Sequence, residues 1–90
     1  MHQYPTITPD GATAEGLAIR WQQGPIGTAF NGASVEVIIR AAIGRIEQLN
    51  ADMPCEENRA ALANLNAALA SLDARTRDRY RRGVMGTAAP

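Results

Sequence analysis

The sequence predicts an all-α fold: an antiparallel two-helix hairpin with an N-terminal arm that holds a candidate short helix, assembled as a homo-oligomer. Three observations point there. Two stretches carry apolar seams at helical spacing, separated only by the short segment Asn50–Cys55. Seventeen of the ninety residues are alanine, which favours helix while adding little core volume, and the chain has only one Trp, one Phe and two Tyr. A two-helix unit this poor in large side chains needs partner subunits to complete a core. Finally, residues 1–32 hold three of the five prolines and five of the eight glycines, so regular structure should be concentrated after them.

The expected divisions are an arm over residues 1–32, a helical hairpin over 33–83 and a glycine-containing tail over 84–90. In the arm, Thr13 could cap a short helix reaching Gln23, although Gly16 opposes it. Trp21 could anchor that segment on the helices or stack on a ligand base. Gly24-Pro-Ile-Gly27 and Phe30-Asn-Gly32 read as turns. Ser34 is a good N-cap for a first helix ending near Asn50, whose seam is Val35, Ile39, Ala42, Ile46 and Leu49. Ile38 and Ile43 widen that face beyond the needs of one partner helix, and Gly44 could permit close helix contact. Asp52 could cap a second helix reaching about Arg81, with Pro54 in its first turn and Leu62, Leu65, Leu69, Leu72 and Thr76 as its seam. Glu56 and Glu57 suit its positive end, and Gly83 suits its C-terminal stop.

Charge is unevenly distributed. Nine bases balance nine acids, yet Arg75, Arg77, Arg79, Arg81 and Arg82 lie together with only Asp78 among them. Residues 75–82 therefore carry +4 and the remainder −4. Guanidinium groups fork onto phosphate oxygens, and glycine lets a backbone approach an anion closely. Three readings of the cluster stand: an anion site, salt bridges between subunits, or a solvated helix end favouring the dipole. Tyr80, between two arginines, could face a ligand base or pack between subunits; Tyr4 could fold over a site.

One cysteine excludes an intrachain disulfide, and one histidine, His2 near the terminus, removes the usual zinc sets and argues against Cys-His or Ser-His-Asp chemistry. No metal or other cofactor is expected, and no catalytic set is evident. No apolar run is long enough for a membrane span, and the N-terminus lacks the order of a signal peptide, so a cytoplasmic protein is expected.

The segments Asn31-Gly32, Glu57-Asn-Arg-Ala-Ala-Leu-Ala-Asn-Leu-Asn-Ala-Ala-Leu69, Arg75-Thr76 and Arg82-Gly83-Val84-Met85-Gly86-Thr87 together resemble the phage anti-CBASS and Thoeris anti-defence hairpin-domain family. The Arg-Thr pair and the Arg-Gly-Val-x-Gly-Thr ending are the more specific parts. The resemblance implies a phage sponge acting in the host bacterial cytoplasm. Such a protein sequesters cyclic dinucleotides, cyclic trinucleotides or cyclic ADP-ribose isomers without catalysis and so silences bacterial immune effectors. It also implies a homohexamer with the cyclic nucleotide enclosed between subunits. Carried over residue by residue, the ligand-binding set is Arg75, Thr76, Arg82, Gly83, Gly86 and Thr87, with Phe30 and Asn31 before the first helix and Tyr80 as the local aromatic. The chain has no lysine, so any phosphate or base contact that a relative makes through lysine is either taken over by arginine here or missing. The competing readings are a structural or adaptor oligomer, and a small nucleic-acid module using the arginine-rich helix end; the acidic remainder of the chain argues against the latter.

Overall fold

The computed structural model describes residues 4–24 and 31–83. The chain divides into two compact units, residues 1–35 and 36–90.

The first unit corrects the expected arm. In place of a short helix it forms a three-stranded antiparallel sheet, β1 (Thr6–Ile7), β2 (Gly11–Ala14) and β3 (Leu17–Arg20), in the order β1-β2-β3. Gly16 decides the matter. Its φ of 81° is left-handed, which ends any helix there and closes a two-residue Glu15-Gly16 turn between Ala14 and Leu17. The preceding turn is held by Thr8, whose Oγ1 accepts from the N–H groups of Asp10 (3.2 Å) and Gly11 (3.1 Å). Gly11 is required sterically, because a Cβ there would collide with the Ile19 carbonyl oxygen.

Register sorts the two faces of the sheet. Ile7 pairs with Ala12 and Ala12 with Ile19, so these apolar side chains share one face. Thr6, Thr13 and Ala18 share the other, which also carries Arg20 opposite Gly11. Ala12, at 4% exposure, is the buried hydrophobic residue of the described chain.

Beyond β3 the chain leaves the sheet and returns at residue 31. Gln22 N–H donates to the Ala33 carbonyl (2.9 Å) and Ala33 N–H to the Arg20 carbonyl (2.6 Å), giving a parallel bridge between Trp21 and Ala33. The Trp21 indole N–H donates to the Thr8 carbonyl at 3.0 Å, so this ring is tied to the arm's own first turn.

The second unit contains the helical hairpin, α1 (Val35–Asp52) and α2 (Glu56–Arg81). On α2 the expected seam is observed: Leu62, Leu65, Leu69, Leu72 and Thr76 are all half-buried. On α1 the strip is rotated. Ile39, Ile43, Ile46 and Asn50 are half-buried at 4-3-4 spacing, whereas Val35, Ala42 and Leu49 of the expected seam are exposed. An apolar face wider than one helix contact leaves this choice to tertiary packing. Gly44 is not demanded by a neighbour, since a Cβ there would meet nothing within 4 Å. An Arg40–Asp73 ion pair of 3.6 Å connects the two helices.

The helix connection corrects the expected cap. Asp52 belongs to the end of α1, and Cys55 caps α2. Its extended backbone directs Sγ to accept from Asn58 N–H at 3.4 Å, while Asn50 Oδ1 accepts from Cys55 N–H at 3.1 Å. Pro54 precedes the cap, outside the helix. Neither helix contains a fully buried residue. The hairpin of a single chain thus leaves its apolar seams only half covered.

Candidate functional site

The last turns of α2 assemble the basic cluster. Helical periodicity places Arg75, Arg79 and Arg82 along one face and Arg77 and Arg81 beside it. Gly83 ends the helix: its φ is 73°, and its N–H donates to the Tyr80 carbonyl at 3.1 Å. Any residue with a side chain would resist that conformation.

The five arginines are not equivalent. Asp78 lies three residues before Arg81 and four before Arg82 and reaches both. Its Oδ1 is 3.7 Å from Arg81 Nη2, and its Oδ2 is 3.0 Å from Arg82 Nε. Arg82 is therefore oriented by a carboxylate while about half of its side chain remains exposed. Arg75 and Arg77 are exposed and make no ion pair with the described residues. One carboxylate among five guanidiniums leaves a surplus of positive charge at this helix end. Tyr80 is 77% exposed, with its ring available to a ligand or another chain, whereas Thr76 is half-buried on the seam.

The other sequence-derived candidates are placed differently. Asn31 lies in the first unit, where both polar atoms of its side chain bond to Gln23: Oδ1 accepts from Gln23 N–H (2.7 Å) and Nδ2 donates to the Gln23 carbonyl (2.9 Å). Asn31 N–H also donates to Gln22 Oε1 at 3.1 Å. This residue is a clasp at the base of the arm. Tyr4 is 86% exposed. Phe30, Gly86 and Thr87 lie outside the described residues.

Sequence reasoning missed three features. The clasp at Asn31 depends on contacts eight or nine residues away, which no local pattern encodes. The bracing role of Asp78 could have been read from its spacing to Arg81 and Arg82. The third is a concavity of about 420 Å³ on the arm, bordered by Thr6, Thr8, Thr13, Asp10 and Arg20, which includes none of the expected site residues. It is shaped by the sheet and lacks the charge surplus of α2, so the chemistry of an anion favours the helix end over the better-formed hollow.

Among the described residues there is no group of three His, Cys, Asp or Glu side chains that could hold a metal ion. None of the described helices is long and apolar enough to cross a membrane.

Comparison with known proteins places this geometry in context. Residues 13–77 match the family model described as Acb2/Tad1, hairpin domain. The match starts in β2, spans both helices as far as Arg77, and includes Asn31, Arg75 and Thr76. Tyr80, Arg82 and Gly83 fall beyond it. No curated protein matches the chain.

Proposed function

The chain belongs to the Acb2/Tad1 hairpin family, and on that premise we propose that the arginine-rich end of α2 is where it holds a cyclic nucleotide. Membership of this family supports a role in sequestering cyclic nucleotide anti-phage signals. Family identity is consistent with a non-enzymatic role.

The observation that carries the proposed site is the unequal pairing of the arginines. Asp78 orients Arg82 through its Nε and leaves about half of that side chain exposed, while Arg75 stays exposed without an ion pair among the described residues. A cyclic dinucleotide or trinucleotide presents several phosphodiester charges within one ring, and neighbouring guanidiniums on one helix face can fork onto them. Arg75 and Arg82 supply charge, the Gly83 turn allows a phosphate close to the backbone, and the exposed Tyr80 ring gives a base a stacking surface. Gly86 and Thr87 extend the set as further donors. Asn31 acts at the base of the arm, with Phe30 next to it in sequence.

The half-covered seams support enclosure of the ligand between subunits of a homo-oligomer, with a hexamer as the expected assembly. The exposed apolar residues of α1, Val35, Val37 and Leu49, would be covered there.

The test is to incubate the protein with cyclic dinucleotides, cyclic trinucleotides and cyclic ADP-ribose isomers, denature it by heat, and analyse what is released. Recovery of an intact cyclic ligand is the expected result. A linear product would replace sequestration with hydrolysis, and failure to retain any of the panel would remove the proposed site.

A further inference from the structure

Asn31 and Gly32 adjoin, and the arm demands each for a separate reason. At position 32 a Cβ would collide with the carbonyl oxygens of Arg20 and Trp21, so only glycine fits. At position 31 the side chain must both accept from Gln23 N–H and donate to the Gln23 carbonyl. A carboxamide does both, whereas a carboxylate can only accept. The fold has thereby fixed the dipeptide in which an asparagine amide is most open to attack by the following main-chain nitrogen, since glycine offers no side chain to obstruct it.

The local hydrogen bonding divides the two reacting groups. Gly32 N–H, the source of the nucleophile, makes no hydrogen bond with the described residues. The Asn31 carboxamide, the electrophile, is pinned on Gln23 through both of its polar atoms. Asn31 is exposed, so water and hydroxide reach it.

We propose that Asn31-Gly32 is a spontaneous deamidation site, restrained by the Gln23 clasp in the folded chain, whose conversion to isoaspartate undoes the base of the arm. Deprotonated Gly32 N attacks Asn31 Cγ, a Cγ–N bond forms, the Cγ–Nδ2 bond breaks, and nitrogen leaves as ammonia. Water then opens the resulting succinimide. Opening at Cγ gives aspartate. Opening at the main-chain carbonyl gives isoaspartate, with the chain rerouted through Cβ and Cγ. The aspartate sets a carboxylate against the Gln23 carbonyl in place of a donor. The isoaspartate adds a methylene to the main chain and pulls Ala33 out of register with Arg20 and Gln22, to which it is bonded at 2.6 and 2.9 Å.

The intact protein is incubated in mildly alkaline buffer, folded and in urea, and position 31 is followed by peptide mapping that separates Asn, Asp and isoAsp. The folded chain should deamidate at least about tenfold more slowly than the unfolded one, a difference of about 1.4 kcal/mol in the barrier. Gln22→Ala, which removes the acceptor for Asn31 N–H, should fall between them. In the isoaspartate form, hydrogen exchange at the Ala33 amide should accelerate. Equal rates in the folded and unfolded chains would overturn the restraint, as would a Gln22→Ala rate no faster than the wild type. Unchanged Ala33 exchange after conversion would overturn its structural consequence. None of these readouts uses a nucleotide, so they stand apart from the ligand-binding test.

Discussion

Replacing Arg82 with alanine tests the proposed site most directly. The side chain is about half exposed, and it pairs at 3.0 Å with a half-exposed Asp78. Exposed pairs of this kind contribute roughly 0.2–1 kcal/mol, so the substitution should leave the hairpin and its assembly intact. Loss of a charge-assisted hydrogen bond to phosphate costs roughly 1.5–3 kcal/mol. That corresponds to an affinity decrease of about ten- to over one hundredfold. Arg77→Ala removes the same charge from an exposed position away from the glycine turn, and should change affinity by less than about threefold, or roughly 0.6 kcal/mol. Calorimetric titration with whichever cyclic nucleotide the protein retains gives the affinities, and sedimentation of each variant checks its assembly. Equal affinities for the wild type and Arg82→Ala would exclude Arg82 from the main site. A loss confined to Arg75→Ala would move the site one or more turns up α2.

Three further outcomes follow from the packing. Ile43→Asp sets an unpaired carboxylate on the half-buried strip of α1 and should cost at least about 2 kcal/mol, seen as dissociation by sedimentation or as a lower Tm; an unaffected Tm would show that this strip is not part of any core. Gly32→Ala should open the bridge between Trp21 and Ala33, read as accelerated hydrogen exchange at Gln22 and Ala33; protection equal to the wild type would contradict the steric reading. Cys55→Ser replaces a weak sulfur acceptor at the α2 N-cap with a hydroxyl and should stabilise the helix by about 0.5 kcal/mol, whereas Cys55→Ala should destabilise it; thermal melts that rank the two the other way would refute the capping role.

The helices were legible because their signals are local. Five side chains from Leu62 to Thr76 repeat at helical spacing on one face, and the structure half-buries all five. The α1 strip was legible only as a broad apolar face. Choosing Ile43 over Leu49 depends on a neighbour that periodicity does not describe. The arm was misread for a related reason. Thr13–Gln23 is rich in residues that tolerate a helix, and its strands are only four residues long, so propensity outweighed a pairing that only the Gly16 turn and the return of Ala33 make worthwhile. At the candidate site the arginine cluster was visible from charge alone. The sequence did not distinguish the pair braced by Asp78 from exposed Arg75 and Arg77, and it gave no sign that Asn31 spends its side chain on Gln23.

The single tryptophan of the chain lies in the arm, its indole N–H bonded to the Thr8 carbonyl, and neither helix contains one. Intrinsic emission excited at the indole band is therefore a private signal of the sheet unit. Far-ultraviolet ellipticity, in contrast, is dominated by the 18 and 26 residues of α1 and α2. The protein thus carries two built-in optical channels, one for each unit, with no label to attach. Superimposed melting curves in the two channels would mean that the units unfold as one cooperative body, and separated curves would resolve the order in which they come apart. A cyclic nucleotide that quenches the emission would be perceived at the arm, whereas one that shifts only the ellipticity melt would act through the helices.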